Sequence, residues 1–307
     1  MRIAVIGTIN KDLILPFGGG PIESYGGIFY DIAVLSHLDK GYEVLPVSYI
    51  GEDIDMTLRA VLSKMKNVIS DGLVTHPDKN HKVILEYTAP GKRNEKSLFQ
   101  FPPLSWPQVK SVVDSDMIIV NLISGWDIEL DTYLKLSKVA RDRMYLDVHY
   151  LVMGLDKLGR RTLRMPENID KWLSGSKFIQ MNDDEFELLS GNLRNEVDFY
   201  QHYLKNDQVL LITRAENGVT VLYDRDGLVG KRQLPAFPVA HVVDATGCGD
   251  SFGAGFVTKY LETGDTLTSA KYANLTAAAN IMLQGTNEMH RLRDTMEDLK
   301  QQTEKEI

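Results

Sequence analysis

The run Val242-Val243-Asp244-Ala245-Thr246-Gly247-Cys248-Gly249-Asp250-Ser251-Phe252 carries the residue types and spacing best suited to chemistry. Phe252, Phe256, Tyr260 and Leu261 share one helical face that stops near Gly264, so a helix begins at or just after Gly249. Gly247 and Gly249 let the backbone turn so that unpaired N–H groups meet at the positive end of the helix dipole, an anion hole suited to phosphate. Asp250 sits in the first turn, within reach of whatever the hole binds. Other phosphate loops do not fit. No Gly-x-x-x-x-Gly-Lys-Ser/Thr occurs, and Phe252 replaces the third glycine of a dinucleotide fingerprint. A glycine turn before a helix is often mere structure; the embedded acid favours chemistry. Asn182 and Glu185 have capping-box spacing, and Asp12 has the character of a turn residue at a strand end. Seven histidines contain no His-x-His or His-x-x-x-His pair, so no zinc site is expected.

The elements that must position these residues follow from apolar periodicity. Ile3 to Ile6, closed by Gly7, reads as a buried strand, as do Met117 to Val120, Met144 to Asp147, Lys177 to Met181 and Val209 to Thr213. Between them, Leu130, Leu134, Leu136 and Val139, then Phe186, Leu188 and Leu189, then Val197, Tyr200 and Leu204 have helical spacing. Alternating strands and helices imply right-handed parallel crossovers, with ligands at the carboxyl ends of the strands. Val219 to Tyr223 forms an edge hairpin with the preceding strand across Arg214 to Gly218. Residues 82–101 read as a second hairpin set apart from the core, a flap or an inert surface feature. Met289, Leu292, Met296 and Leu299 mark a C-terminal amphipathic helix. The 34 basic and 42 acidic side chains leave a net charge of −8, which disfavours nucleic-acid and anionic-membrane partners. One cysteine excludes an internal disulfide. With no long apolar run and no signal-like start, a cytoplasmic location is expected.

The segment Asp244-x-Thr246-Gly247-x-Gly249-Asp250-Ser251-Phe252-x-x-Gly255-Phe256 resembles the C-terminal signature of the ribokinase (PfkB) family of carbohydrate kinases. Gly7 to Asp12 resembles the family's first strand, whose turn carries an Asn and an Asp for substrate hydroxyls. Gly26-Gly27, with Ala33 behind them, resembles its substrate-side glycine pair, and Asn182-x-x-Glu185, with Leu189 and Gly191, its magnesium and phosphate motif. The resemblance covers nearly the whole chain. It implies one ribokinase-like α/β domain over residues 1–307, a three-layer sandwich with a mostly parallel central sheet and a small β lid from about 13–25 and 82–101. It implies ATP-dependent phosphorylation of a hydroxyl on a sugar or sugar-like molecule. By that likeness Asp250 is the base, and the amides of Gly247, Cys248 and Gly249 stabilise the transferred phosphoryl group. Glu185 and Asn182 hold Mg²⁺ through water. Asn10, Asp12, Gly26, Gly27 and Asp31 face the acceptor, and Asp244 with the Thr246 carbonyl holds a monovalent cation such as K⁺. Thr213, Gly218 and Asn280 line the nucleotide pocket. Cys248 is a small filler without redox function, and His149 is structural.

Three positions depart from the family pattern. Asp31 stands where Asn is usual; a carboxylate only accepts hydrogen bonds, so the acceptor should present hydroxyl or N–H groups there. Ala215 replaces a common glycine in the nucleotide loop, and Ala245 a threonine. Only Leu13 to Tyr25 separate Asp12 from Gly26, a short lid that leaves monomer and homodimer both open. Tyr25, Phe29, Tyr30 and Tyr87 could stack on a nucleobase but suit packing better, and Lys92 and Arg93 at the hairpin tip suit solvent better than a substrate phosphate. A nucleoside kinase is the nearest alternative. A ligand sensor of low activity on the same fold is the alternative from another class.

Overall fold

A computed structural model describes residues 1–38, 40–89, 92–205 and 207–305. In chain order the strands are β1 (Arg2–Ile6), β2 (Ile9–Leu15), β3 (Ile22–Gly27), β4 (Glu43–Gly51), β5 (Leu73–His76), β6 (Lys82–Ala89), β7 (Lys92–Leu98) and β8 (Met117–Asn121). They continue with β9 (Met144–Asp147), β10 (Met153–Leu155), β11 (Arg161–Leu163), β12 (Phe178–Asn182), β13 (Val209–Thr213), β14 (Val219–Arg225) and β15 (Leu228–Leu234). Nine of them form the central sheet, ordered β15-β14-β13-β12-β9-β8-β1-β4-β5. All its pairings are parallel except β13 with β14 and β14 with β15.

Alternation along each strand splits the core in two. Ile3, Val5, Met117, Ile119 and Leu211 point to one face, where they meet the helices Phe29–Leu38, Cys248–Thr263, Thr266–Asn280 and Leu292–Lys305. Ala4, Ile6, Ile118, Val120 and Ile212 point to the other, against Leu130–Ala140, Ile169–Ser174, Asp183–Ser190 and Glu196–Tyr203. Both faces are covered, which is why these strands read as continuous apolar runs. The result is the three-layer ribokinase-like sandwich. The helix Cys248–Thr263 is locked by Phe256, which packs edge-on to Phe178 at 5.1 Å and near Tyr145 at 5.6 Å. Burying one such ring stabilises by about 1.5–3 kcal/mol.

The second sheet is ordered β3-β2-β6-β7. Residues 82–101 form the expected hairpin, β6 with β7, apart from the central sheet, and β6 also pairs in parallel with β2, which joins 13–25 and 82–101 into one sheet. Asp12 lies within β2, opposite Ser24 of β3, and is no turn residue. Pairing between strands some seventy residues apart leaves no local signal. Pro90 and Gly91 and the side chains of Lys92 and Arg93 lie outside the described residues. The sheet's outer edge also differs from expectation, since β15 covers β14. Its Lys231-Arg232-Gln233 segment hides it from apolar pattern and suits an exposed edge. Val139, 55% exposed, is off the buried face of its helix, which Tyr133, Leu136 and Ala140 make instead. Among the described residues no helix is long and apolar enough to cross a membrane.

Candidate active site

The carboxyl ends of β8, β9 and β12 converge on the start of the helix Cys248–Thr263. Its N-cap, Gly247, is left-handed at φ +76, and a Cβ there would fall 2.1 Å from the Tyr30 ring, so glycine is required. Asp250 follows in the first turn and is 5% exposed. Asn121, the last residue of β8, donates from Nδ2 to Asp250 Oδ1 at 2.7 Å and to Asp31 Oδ2 at 3.0 Å. Burial pushes the Asp250 carboxyl up to about 6 against the pull of the Asn121 hydrogen bond. Burial raises Asp31 well above the usual carboxylate range, and the nearby Asp250 charge adds to that. The first amides of a helix lack intrahelical acceptors. The Cys248 amide leans toward the Ala245 carbonyl at 3.4 Å, and burial lifts its thiol to about 11, leaving no reactive thiolate.

Gln180, inside β12, fastens the helix start to the sheet. Its Nε2 donates to the Gly249 carbonyl at 3.0 Å and to Asp147 Oδ2 at 2.8 Å, and its Oε1 accepts from Tyr145 at 2.5 Å. Asp147 is driven well above its ordinary range by burial, then by the charges of Glu185, Asp250 and Asp31. Beyond β9, His149 adopts φ +38 and brings Nδ1 to 3.9 Å from Asp250 Oδ1, a half-buried imidazole at the mouth of the cluster. Asn182 and Glu185 form a full capping box. The Glu185 amide donates to Asn182 Oδ1, while the carboxylate accepts from the Asn182 amide at 2.9 Å and from Nδ2 at 2.8 Å. Burial raises Glu185 to about 8. With both oxygens engaged, this hard-oxygen pair suits Mg²⁺ that keeps its water.

Asp244 Oδ1 accepts from the Thr246 amide at 2.9 Å, and Asn280 Nδ2 donates to the Thr246 carbonyl at 3.0 Å. Thr246 Oγ1 is buried without a partner among the described residues, an orphaned oxygen that fits a cation beside this loop. Asn280 is thus committed to bracing the loop. Thr213 lies beside Asn182 in the β12–β13 register, while Gly218, left-handed at φ +84, packs on the Leu234–Ala236 backbone. On the acceptor side, a Cβ at Gly26 would fall 1.8 Å from Asp12 Oδ2, so the lid backbone lies directly against that carboxylate. Asn10 Oδ1 and the Tyr30 hydroxyl are buried without partners among the described residues. After burial itself, the charges of Asp244, Asp12 and Asp250 all raise the Tyr30 phenol, so lid and helix acids border one space. The second sheet meets the body where Tyr150 donates to Glu95 of β7 at 2.5 Å. A groove of about 410 Å³ lies elsewhere, among Lys40, Lys259, Lys271, Tyr272, Arg293 and Lys300.

Sequence reasoning missed Asn121 and Gln180, and placed Asp147 only as a strand end and Tyr30 only as a packing aromatic. Asn121 and Gln180 did leave a signal: each is a polar side chain in an otherwise apolar buried strand and needs a partner there.

The fold is of the ribokinase kind. A family model described as pfkB family carbohydrate kinase matches residues 119–292, and the chain belongs to that family. A nucleoside kinase of Methanocaldococcus jannaschii is 36% identical over 87 residues, 28% of this chain and 26% of that protein, so the match spans about a quarter of the relative's length. Ribokinase from Thermotoga maritima superposes with a TM-score of 0.76 at 16% identity, covering 98% of this chain and 99% of that one. A pyrophosphate-dependent kinase in the ribokinase family, complexed with a pyrophosphate analog and myo-inositol, gives 0.72 at 17% identity, covering 92% and 95%. These two structural likenesses speak to the fold.

Proposed function

We propose that the chain transfers the γ-phosphoryl group of ATP to a hydroxyl of a sugar or sugar-like small molecule. The observation that supports this best is a buried carboxyl, Asp250, held by Asn121 in the first turn of a glycine-capped helix, beside a space that Asp12 also borders. Asn10 and Asp12 orient the acceptor hydroxyl, with the Gly26-Gly27 backbone allowing close approach. Asp250 takes the hydroxyl proton as the new oxygen–phosphorus bond forms. The bond to the leaving β-phosphate oxygen breaks, and ADP departs with that electron pair. The amides of Gly247, Cys248 and Gly249 stabilise charge on the transferred group. Mg²⁺, when bound, neutralises the phosphate charges, with Glu185 and Asn182 as its oxygen donors through water. Asp244 and Thr246 would hold a monovalent cation such as K⁺. Thr213 and Gly218 border the nucleotide.

A nucleoside acceptor is the second reading, favoured by the 36% identity to a nucleoside kinase. The deciding experiment measures product formation from Mg·ATP, and in parallel from pyrophosphate, across pentoses, hexoses, cyclitols, their phosphates and nucleosides. Asp250→Asn serves as the blank. Turnover with one acceptor class that the variant lacks supports the reading and names the class. Binding of an acceptor without turnover of any donor would replace it with a ligand sensor.

A further inference from the structure

Asp31 and Asp250 are both buried, and one amide nitrogen, Asn121 Nδ2, donates to each of them. An amide nitrogen has two hydrogens, one for each carboxyl, and neither neutralises a charge. The groups acting on Asp31 from the surrounding elements are Asp250 on the helix Cys248–Thr263 and Asp147 and Tyr145 on β9; His149, the nearest imidazole, faces Asp250. Two buried carboxylates bridged in this way cannot both stay ionised at low cost. Asp31 is the deeper, at 1% exposed, and its Oδ1 is a buried acceptor with no partner among the described residues, as is Asn121 Oδ1. A proton on Asp31 Oδ1 converts one orphaned acceptor into a donor.

We propose that Asp31 is a positioning residue that remains a neutral carboxylic acid, so that the one negative charge of the Asp31–Asn121–Asp250 bridge rests on Asp250. The functional part of this inference depends on Asp250 being the base; the protonation state does not. A neutral Asp31 also both donates and accepts, as an amide does, which revises the acceptor-only character read from its residue type.

The test compares thermal melting of the wild type, Asp31→Asn and Asp250→Asn across the neutral pH range, with turnover measured on the same samples. An acid raised in the folded state adds stability at low pH that is lost as pH climbs through its folded midpoint. The Tm of Asp31→Asn should therefore gain on the wild type as pH rises. Its turnover should keep the acid limb set by Asp250 and lose the alkaline limb that the wild type shows where Asp31 ionises. A Tm difference that stays flat with pH overturns the proposal, whatever the activity does. Asp31→Ala, which keeps the Asn121–Asp250 bond, gives the same comparison if the Asn variant does not fold. Normal turnover of Asp250→Asn with a widening Asp31→Asn difference would remove the assigned base and leave the neutral Asp31 standing.

Discussion

Asp250 can accept a proton only when ionised, and burial places its midpoint at about 6. Turnover is therefore expected to fall as pH drops through that value, which a pH–rate profile checks. Asp250→Asn should lower kcat by about 10²–10⁴-fold. It should melt near the wild type, because the Asn side-chain oxygen still accepts from Asn121. Glu185→Gln removes an acid that can ionise while keeping an oxygen for the helix cap. The expected result is a raised Mg²⁺ requirement with a stability loss of under about 1 kcal/mol, read from Mg²⁺ titrations of the rate and from urea melts. At this scale the acid proposed as base was legible in the sequence because a glycine turn, a helical face and that acid lie within a few residues of one another. Its partner Asn121 was not, because 129 residues separate the two.

Turns at the strand ends test the backbone in opposite directions. Gly247 is left-handed, and a Cβ would strike the Tyr30 ring at 2.1 Å. Gly247→Ala should destabilise by about 2–4 kcal/mol through strain and overpacking, measurable by urea unfolding. Ala215, at φ +45, occupies left-handed backbone with a Cβ it does not need. Ala215→Gly should raise stability by about 1 kcal/mol in the same assay. The sequence marked both positions, one as a required glycine and the other as a departure from glycine. The lid was harder. Its 82–101 half is visible as a hairpin and its 13–25 half only through the family likeness, and the β2–β6 ladder that makes them one sheet is a long-range pairing.

Across the whole molecule, buried carboxyls on one pocket set the response to pH. Glu185 is raised from 4.5 to about 8, so the stability it contributes is present at low pH and lost as pH rises through that window. His81, lowered from 6.5 to about 3 by burial, acts in the opposite sense, but its contribution is complete above 6.5. From about pH 6.5 to about 8 the ligand-free protein should therefore lose Tm as pH rises, and Glu185→Gln should flatten that slope. Scanning calorimetry on both proteins checks it.

The sequence by itself determined the class of fold, the glycine turn with its acid, and the capping pair Asn182–Glu185, because each is written in contiguous residues or in the period of a single element. Only the tertiary structure decided that Asn121 ties Asp31 to Asp250, that Gln180 pins the helix start to Asp147 and Gly249, and that Gly26 of the lid lies against Asp12. Those contacts join residues from separate strands and helices. A polar side chain in a buried strand announces that it needs a partner; which partner it gets depends on the order in which the strands assemble.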